Sequence, residues 1–240
     1  MKNIKEIMAR AIILICLSDR CALEEELIEG KRYTLSEREK QREAIRNWLD
    51  YTGYLNYAIK KEKDFLNKSL GTSDKKEVLQ YQVQYEAVEP CLWSLGLVNQ
   101  LSGYEQFVWE DFHPILQIGM GHSYEKVMQK CKLREKEEIE LQTEAAMLWH
   151  WRAREAYNPN FTEEGIGTII KRVFGKRYLE ILSKIECVDV DEKDFVLKNS
   201  MFADLNDKEK SIVEVISLWR HHAFEWILGI DSWDKVETNT

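Results

Sequence analysis

Along most of this chain apolar residues recur every three to four positions, the spacing that gathers them on one face of an α-helix. Ile4, Ile7, Met8, Ala11, Ile12 and Ile15 form such a stripe and predict a first helix from Ile4 to Ile28, with Gly30 as its stop. Ser36 followed by Glu39 has capping-box spacing and opens a second helix, which turns Ile45, Trp48 and Leu49 inward and closes at Gly53. A short helix over 60–70 ends at Gly71. Ser73 or Asp74 caps the next, which runs through Tyr85-Glu86-Ala87 toward Gly96. Pro90 should kink it, because proline removes one backbone bond and crowds the preceding turn. A long helix from Leu133 to Tyr157 starts in the charge-dense Arg134-Glu-Lys-Glu-Glu138 and ends at Asn158-Pro159. One or two helices over 162–185 follow, capped by Thr162 and punctuated by Gly175. The last helix is capped by Asn206 or Asp207 and reaches Leu228, with Gly229 as its stop.

Two stretches break the helical rhythm. Residues 98–121 carry Gly103, Pro114, Gly119 and Gly121 and read as irregular chain. They are the best internal boundary, although their Phe and Trp residues suggest packing. Around 187–200 the alternation of Val188, Val190, Phe195 and Val196 suggests a short strand or hairpin. The expectation is an all-α, multi-helix globular domain over residues 1–240, with a soft boundary at 98–121.

Composition agrees. Only three prolines and eleven glycines occur in 240 residues, too few for a many-turned β-sandwich or barrel. A chain this long can bury roughly 70–75 % of its unfolded surface, so it needs no staples. The five cysteines (Cys16, Cys21, Cys91, Cys131 and Cys187) are odd in number and include no C-x-x-C, which suggests buried thiols in a reducing cytoplasm. Lys2 and Lys5 before the apolar run 11–17 imitate a signal peptide faintly. That run is too short to cross a bilayer, and Ser18-Asp19-Arg20 is a poor cleavage site.

Charge narrows the partners. Against 34 Lys and Arg stand 42 Asp and Glu, a net charge of −8. That field disfavours nucleic acid and anionic membranes and favours a basic protein partner.

Candidate chemistry gathers in two helical segments. In His150-Trp-Arg-Ala-Arg154, His150 and Arg154 lie four apart and share a face. In Trp219-Arg-His-His-Ala-Phe-Glu-Trp226, His221 and Glu225 share a face, and His222 points toward Trp226 on the next one. Buried Arg and His need carboxylate partners, for which Glu86, Glu144, Glu155, Glu225 and Asp234 are candidates. Three readings compete for the cluster of His150, Arg154, Arg220, His221 and Glu86. It is a bonded network locking two helices, an acid–base site with an arginine holding an anion, or a metal site. The metal reading lacks H-E-x-x-H and any second histidine four residues from His150 or His221, so neither metal nor cofactor is expected. No phosphate-binding glycine loop and no G-x-S-x-G occurs, and Gly119-Met-Gly121 reads as a turn.

These segments carry a resemblance. Glu86-Ala87 with Leu92-Trp-Ser-Leu-Gly96, His150-Trp-Arg-Ala-Arg154, Met201 to Glu209, Arg220-His-His-Ala-Phe-Glu-Trp226 and Trp233-Asp-Lys-Val-Glu-Thr-Asn-Thr240 together resemble the bacterial family called domain of unknown function 4272. Arg10 to Cys21 fits its opening more loosely. The resemblance implies a helical fold and a prokaryotic or phage-related origin, and transfers no catalytic residue. Asn239 stands where the family usually has Asp, Pro90 interrupts a helix that is normally smooth, and 162–185 adds length. An acidic helical chain without a catalytic motif is expected to be a protein-binding or neutralising, immunity-type module rather than an enzyme. The alternative is an enzyme or small-ligand sensor using the His/Arg cluster between two helices.

Overall fold

The computed structural model describes residues 1–29, 33–119, 125–158, 166–186 and 194–238. Helix α1 (Ile4–Glu29) runs through the centre. The expected single stripe is too narrow a description. Ala9, Ile13 and Leu14 are as sealed as Ile7, Met8 and Ile12, so the helix is apolar all round and other helices enclose it. The segment that imitated a signal sequence is thus core. Among the described residues no helix is long and apolar enough to cross a membrane.

Around α1 pack α2 (Leu35–Tyr51), α3 (Lys60–Asn67), α4 (Lys75–Gln82) and α5 (Val88–Ser94). The capping box of α2 lies two residues before the expected one. The Glu37 amide donates to Thr34 Oγ1 (3.3 Å), and the Thr34 amide donates to Glu37 Oε2 (2.8 Å). Glu39 instead takes the Leu70 amide and Arg42 Nε, both at 2.6 Å, and so ties α2 to the end of α3. Asp74 caps α4 as one of the two expected residues.

Nor does one kinked helix run from Asp74 to Gly96. A 3₁₀ segment (Val83–Ala87) separates α4 from α5. Pro90 sits in the first turn of α5, where its missing N–H costs no helical bond, so the chain starts a new helix there.

The stretch expected as a boundary wraps back over this half. It contains one helical turn, α6 (His113–Leu116), and buries Val108 and Phe112. After α7 (Glu125–Met128) comes α8 (Lys136–Glu155), shorter than expected at both ends. Helices α9 (Ile166–Phe174) and α10 (Tyr178–Lys184) meet at Gly175, whose φ of 52° needs a glycine-like conformation. Thr162, the expected cap, Gly30 and Cys187 lie outside the described residues. A hairpin of β1 (Val196–Leu197) and β2 (Ser200–Met201) turns through Lys198 and Asn199, both with left-handed backbone. Its position agrees with the expectation for 187–200. Asn206 caps α11 (Asp207–Leu228) in a capping box with Glu209, and Gly229 follows its end.

The most extensive contact between elements joins α8 to α11. Two apolar clusters form among the described residues. One surrounds α1; the other joins Trp149, Ile170, Ile181, Phe195 and Phe202. Both clusters include residues of α8 and α11.

Candidate functional site

Helices α8 and α11 bring His150 and His221 together. Their rings lie 5.7 Å apart and the two Nδ1 atoms 3.4 Å apart, with His150 only 4 % exposed. Burial, aided by His221 and then Arg154, pushes His150 down to about 4. A neutral ring is therefore stable here, with one Nδ1 donating and the other accepting. Glu225 Oε1 stands 3.6 Å from His221 Nε2, on the shared face that the i,i+4 spacing predicts. Among the described residues no group of three His, Cys, Asp or Glu side chains converges as metal ligands. His222 turns toward Trp233 rather than Trp226. Its ring lies 4.4 Å from that indole, and its Nε2 is 3.0 Å from the Trp233 carbonyl.

Arg154 does not join this pair: it is exposed. The buried arginine of the segment is Arg152, two residues earlier and on the opposite face. It grips Asp194 with two bonds, Nε to Oδ1 at 2.6 Å and Nη2 to Oδ2 at 2.5 Å, and lies over the Phe202 ring. Asp194 also takes the amides of Phe195 (2.8 Å) and Ala203 (2.9 Å), so this pair ties the hairpin region to α8. The spacing argument chose Arg154 because it shares a face with His150. Arg152 shares a face with Trp149 and Ala153, the apolar side, where only a paired cation can sit.

Arg220 is the second buried clamp. Its Nη1 donates to the Ser102 carbonyl (2.6 Å) and its Nη2 to the Gly103 carbonyl (3.0 Å), while Glu89 Oε2 stands 3.3 Å from Nη2. The guanidinium rests 4.6 Å from the centre of the Tyr104 ring. Glu89 in turn takes the Ser102 amide (2.9 and 3.0 Å) and the Ser102 hydroxyl (2.6 Å). One turn earlier, Glu86 takes the Val108 amide at 2.9 Å, and Tyr85 donates its hydroxyl to the Glu110 carbonyl at 2.8 Å. Burial raises Glu86 to about 7, against the opposing pull of the Val108 amide and of Arg220. Glu86 and Arg220 therefore act on one object, the irregular segment 99–112. Sequence reasoning missed Glu89; the signal was a second carboxylate three residues after Glu86 in the otherwise apolar Ala87–Leu95 run.

Beyond the clamps, residues 108–113 form a projection. Trp109 is 84 % exposed, while Val108 before it and Phe112 after it are buried. Glu110 and Asp111 beside it are exposed too. His113 pins the far end, with Nε2 2.9 Å from Asp19 Oδ2 on α1 and Nδ1 2.6 Å from Asp111 Oδ1. The bond to Asp19, helped by Asp111 against partial burial, raises His113 to about 9, so it is a cation donating at both nitrogens.

The five candidates thus divide into a histidine pair (His150, His221), a loop clamp (Glu86, Arg220) and one outlying residue (Arg154). The family model for the domain of unknown function (DUF4272) matches residues 1–175. The chain belongs to that family. The matched span holds the Glu86–Gly96 and His150–Arg154 segments, whereas Arg220–Trp226 and the terminal Trp233 stretch lie beyond it. His221 of the histidine pair and Arg220 of the clamp are therefore supplied from outside the matched span, whereas Glu86, Glu89 and the segment they hold lie within it. No curated protein and no solved structure matches the chain.

Proposed function

We propose that this DUF4272 protein is a protein-binding module for a basic partner, of the kind that neutralises or regulates that partner. The carrying observation is Trp109, an exposed indole in a segment fixed at one end by the buried Glu86–Val108 bond and at the other by the half-buried His113–Asp19 pair, and flanked by Glu110 and Asp111. Exposed tryptophan on a rigid support suits an interface anchor: it buries a large area and loses little conformational freedom on binding. The surrounding carboxylates, Asp19 among them, favour a cationic surface around the indole's pocket. The net charge of −8 supports the same polarity. Glu86, Glu89 and Arg220 are buried ionisable groups, costly to enclose, and all three bond to this segment. The alternative reading, an enzyme or sensor built on His150, Arg154, Arg220 and His221, has less behind it: among the described residues the cleft beside the clamped segment is lined by Arg220 of the four, and not by His150, Arg154 or His221.

The test starts with cross-linked complexes retained by wild-type protein and lost by Trp109→Ala, followed by titration of the purified partner. The expected result is a 1:1 complex that weakens with salt, with Trp109→Ala costing roughly 2–4 kcal/mol of binding free energy. Equal affinity of the wild type, Trp109→Ala and a Glu110→Lys/Asp111→Lys variant for that partner would refute the proposal.

A further inference from the structure

The opposite side of the clamped segment forms one wall of a cleft of about 690 Å³. That volume is within the range of small-molecule sites, about 300–1,000 Å³. Residues 99–105 face α8, the end of α10 and the hairpin turn across it, and Arg220 is the one member of the His/Arg cluster in its wall.

Its chemistry is rich in donors. The Arg220 Nε and the Trp149 Nε1 are buried N–H groups that find no acceptor among the described residues, and both residues line the cleft. Most buried donors are paired, so these two are polar capacity in residues of the lining that the described residues leave unused. At the rim stand Lys184 and Lys198, both exposed. Arg134, stacked 4.3 Å from the centre of the Trp93 ring, is held within the wall by the Trp93 and Asn99 carbonyls and by Glu138. The wall also contains carboxylates. Glu138 is engaged with Arg134 (3.5 Å) and the Glu135 amide (3.3 Å), which leaves Glu105 and Glu186 against the rim cations. Lys198 and Glu186 are two of the four non-glycine residues with positive φ among the described residues (51° and 49°). A left-handed lysine in a two-residue turn, where asparagine or glycine is the low-cost choice, fits a position selected for its side chain.

We infer that this cleft is a binding site for a small organic anion bearing carboxylate or phosphate groups, with Lys184 and Lys198 as its cationic contacts. Trp109 itself is not part of the cleft's lining.

Calorimetric titration of the full chain with succinate, citrate and AMP tests it, the first two for carboxylate and the third for phosphate. The expected result is saturable binding of at least one probe, weakened about tenfold or more by the double substitution Lys184→Gln/Lys198→Gln. Both lysines are exposed, so that variant should fold and melt as the wild type does, and Trp109→Ala should bind the probe unchanged. No saturation by any of the three at millimolar concentration, or saturation that ignores the lysine substitutions, overturns the inference.

Discussion

Replacing Arg220 by alanine should be among the most damaging single changes outside the apolar core. The side chain is 1 % exposed, and its loss removes two bonds to the 102–103 carbonyls together with the contact to Glu89. Glu89, itself 2 % exposed, would be left as a buried carboxylate whose countercharge has gone. Removing one partner of a buried pair costs about 3–5 kcal/mol, a large part of the 5–15 kcal/mol that typically holds a domain folded. At about 2–4 °C per kcal/mol for a chain of this size, the midpoint should fall by roughly 6–20 °C. Urea unfolding followed by circular dichroism measures the free energy. The double variant Glu89→Gln/Arg220→Met should recover part of the loss, because the stranded charge is gone, so the two single changes should not add. Hydrogen exchange supplies a local readout: Glu89→Ala, which removes the acceptor, should selectively deprotect the Ser102 amide, and Glu86→Ala the Val108 amide. A loss below about 1 kcal/mol in Arg220→Ala, within the ordinary range of surface changes, would refute the clamp. So would strict additivity in the cycle.

Three further outcomes are expected. Because His150 is depressed to about 4 in the fold, the unfolded chain binds a proton between about pH 6.5 and 4 that the folded chain refuses. Stability should therefore fall over that window by roughly 3 kcal/mol from this group, and His150→Asn should remove that part of the acid loss in the urea-midpoint profile between pH 7 and 4.5, leaving the part due to His222, which burial likewise pushes down to about 4. His113 has the opposite sign: raised to about 9, it stabilises fully below about pH 6.5, and that contribution is lost as pH rises through 9. His113→Gln should abolish this alkaline loss, read from melting curves at pH 7 and 9.5. Asp194→Ala should cost about 3–5 kcal/mol by stranding Arg152, whereas Arg154→Ala, two residues along the same helix, should change stability by no more than about 0.5 kcal/mol in the same urea assay.

What the sequence settled by itself is local. The limits of α1, the Asp74 and Asn206 caps, Gly229 and the hairpin near 200 follow from periodicities and side chain-to-backbone bonds spanning at most four residues. Such signals survive in the linear order because both partners are read together. Even there, competition between two neighbouring S/T-x-x-E frames moved the start of α2, since Glu39 found a partner 31 residues away. The meeting of α8 and α11 at His150 and His221 was also legible, because polar rings on two largely apolar helices are most readily satisfied where those helices pack. Which charge meets which was decided only by the fold. Arg152 finds Asp194 across 42 residues, and Arg220 finds Glu89 across 131. A buried cation takes the carboxylate that packing delivers within reach, and nothing in the local spacing distinguishes Glu89 from Glu86, or Arg152 from Arg154. Trp109 makes the same point in reverse. Composition suggests that an indole belongs inside, and only the bonds that fix its neighbours turn this one outward.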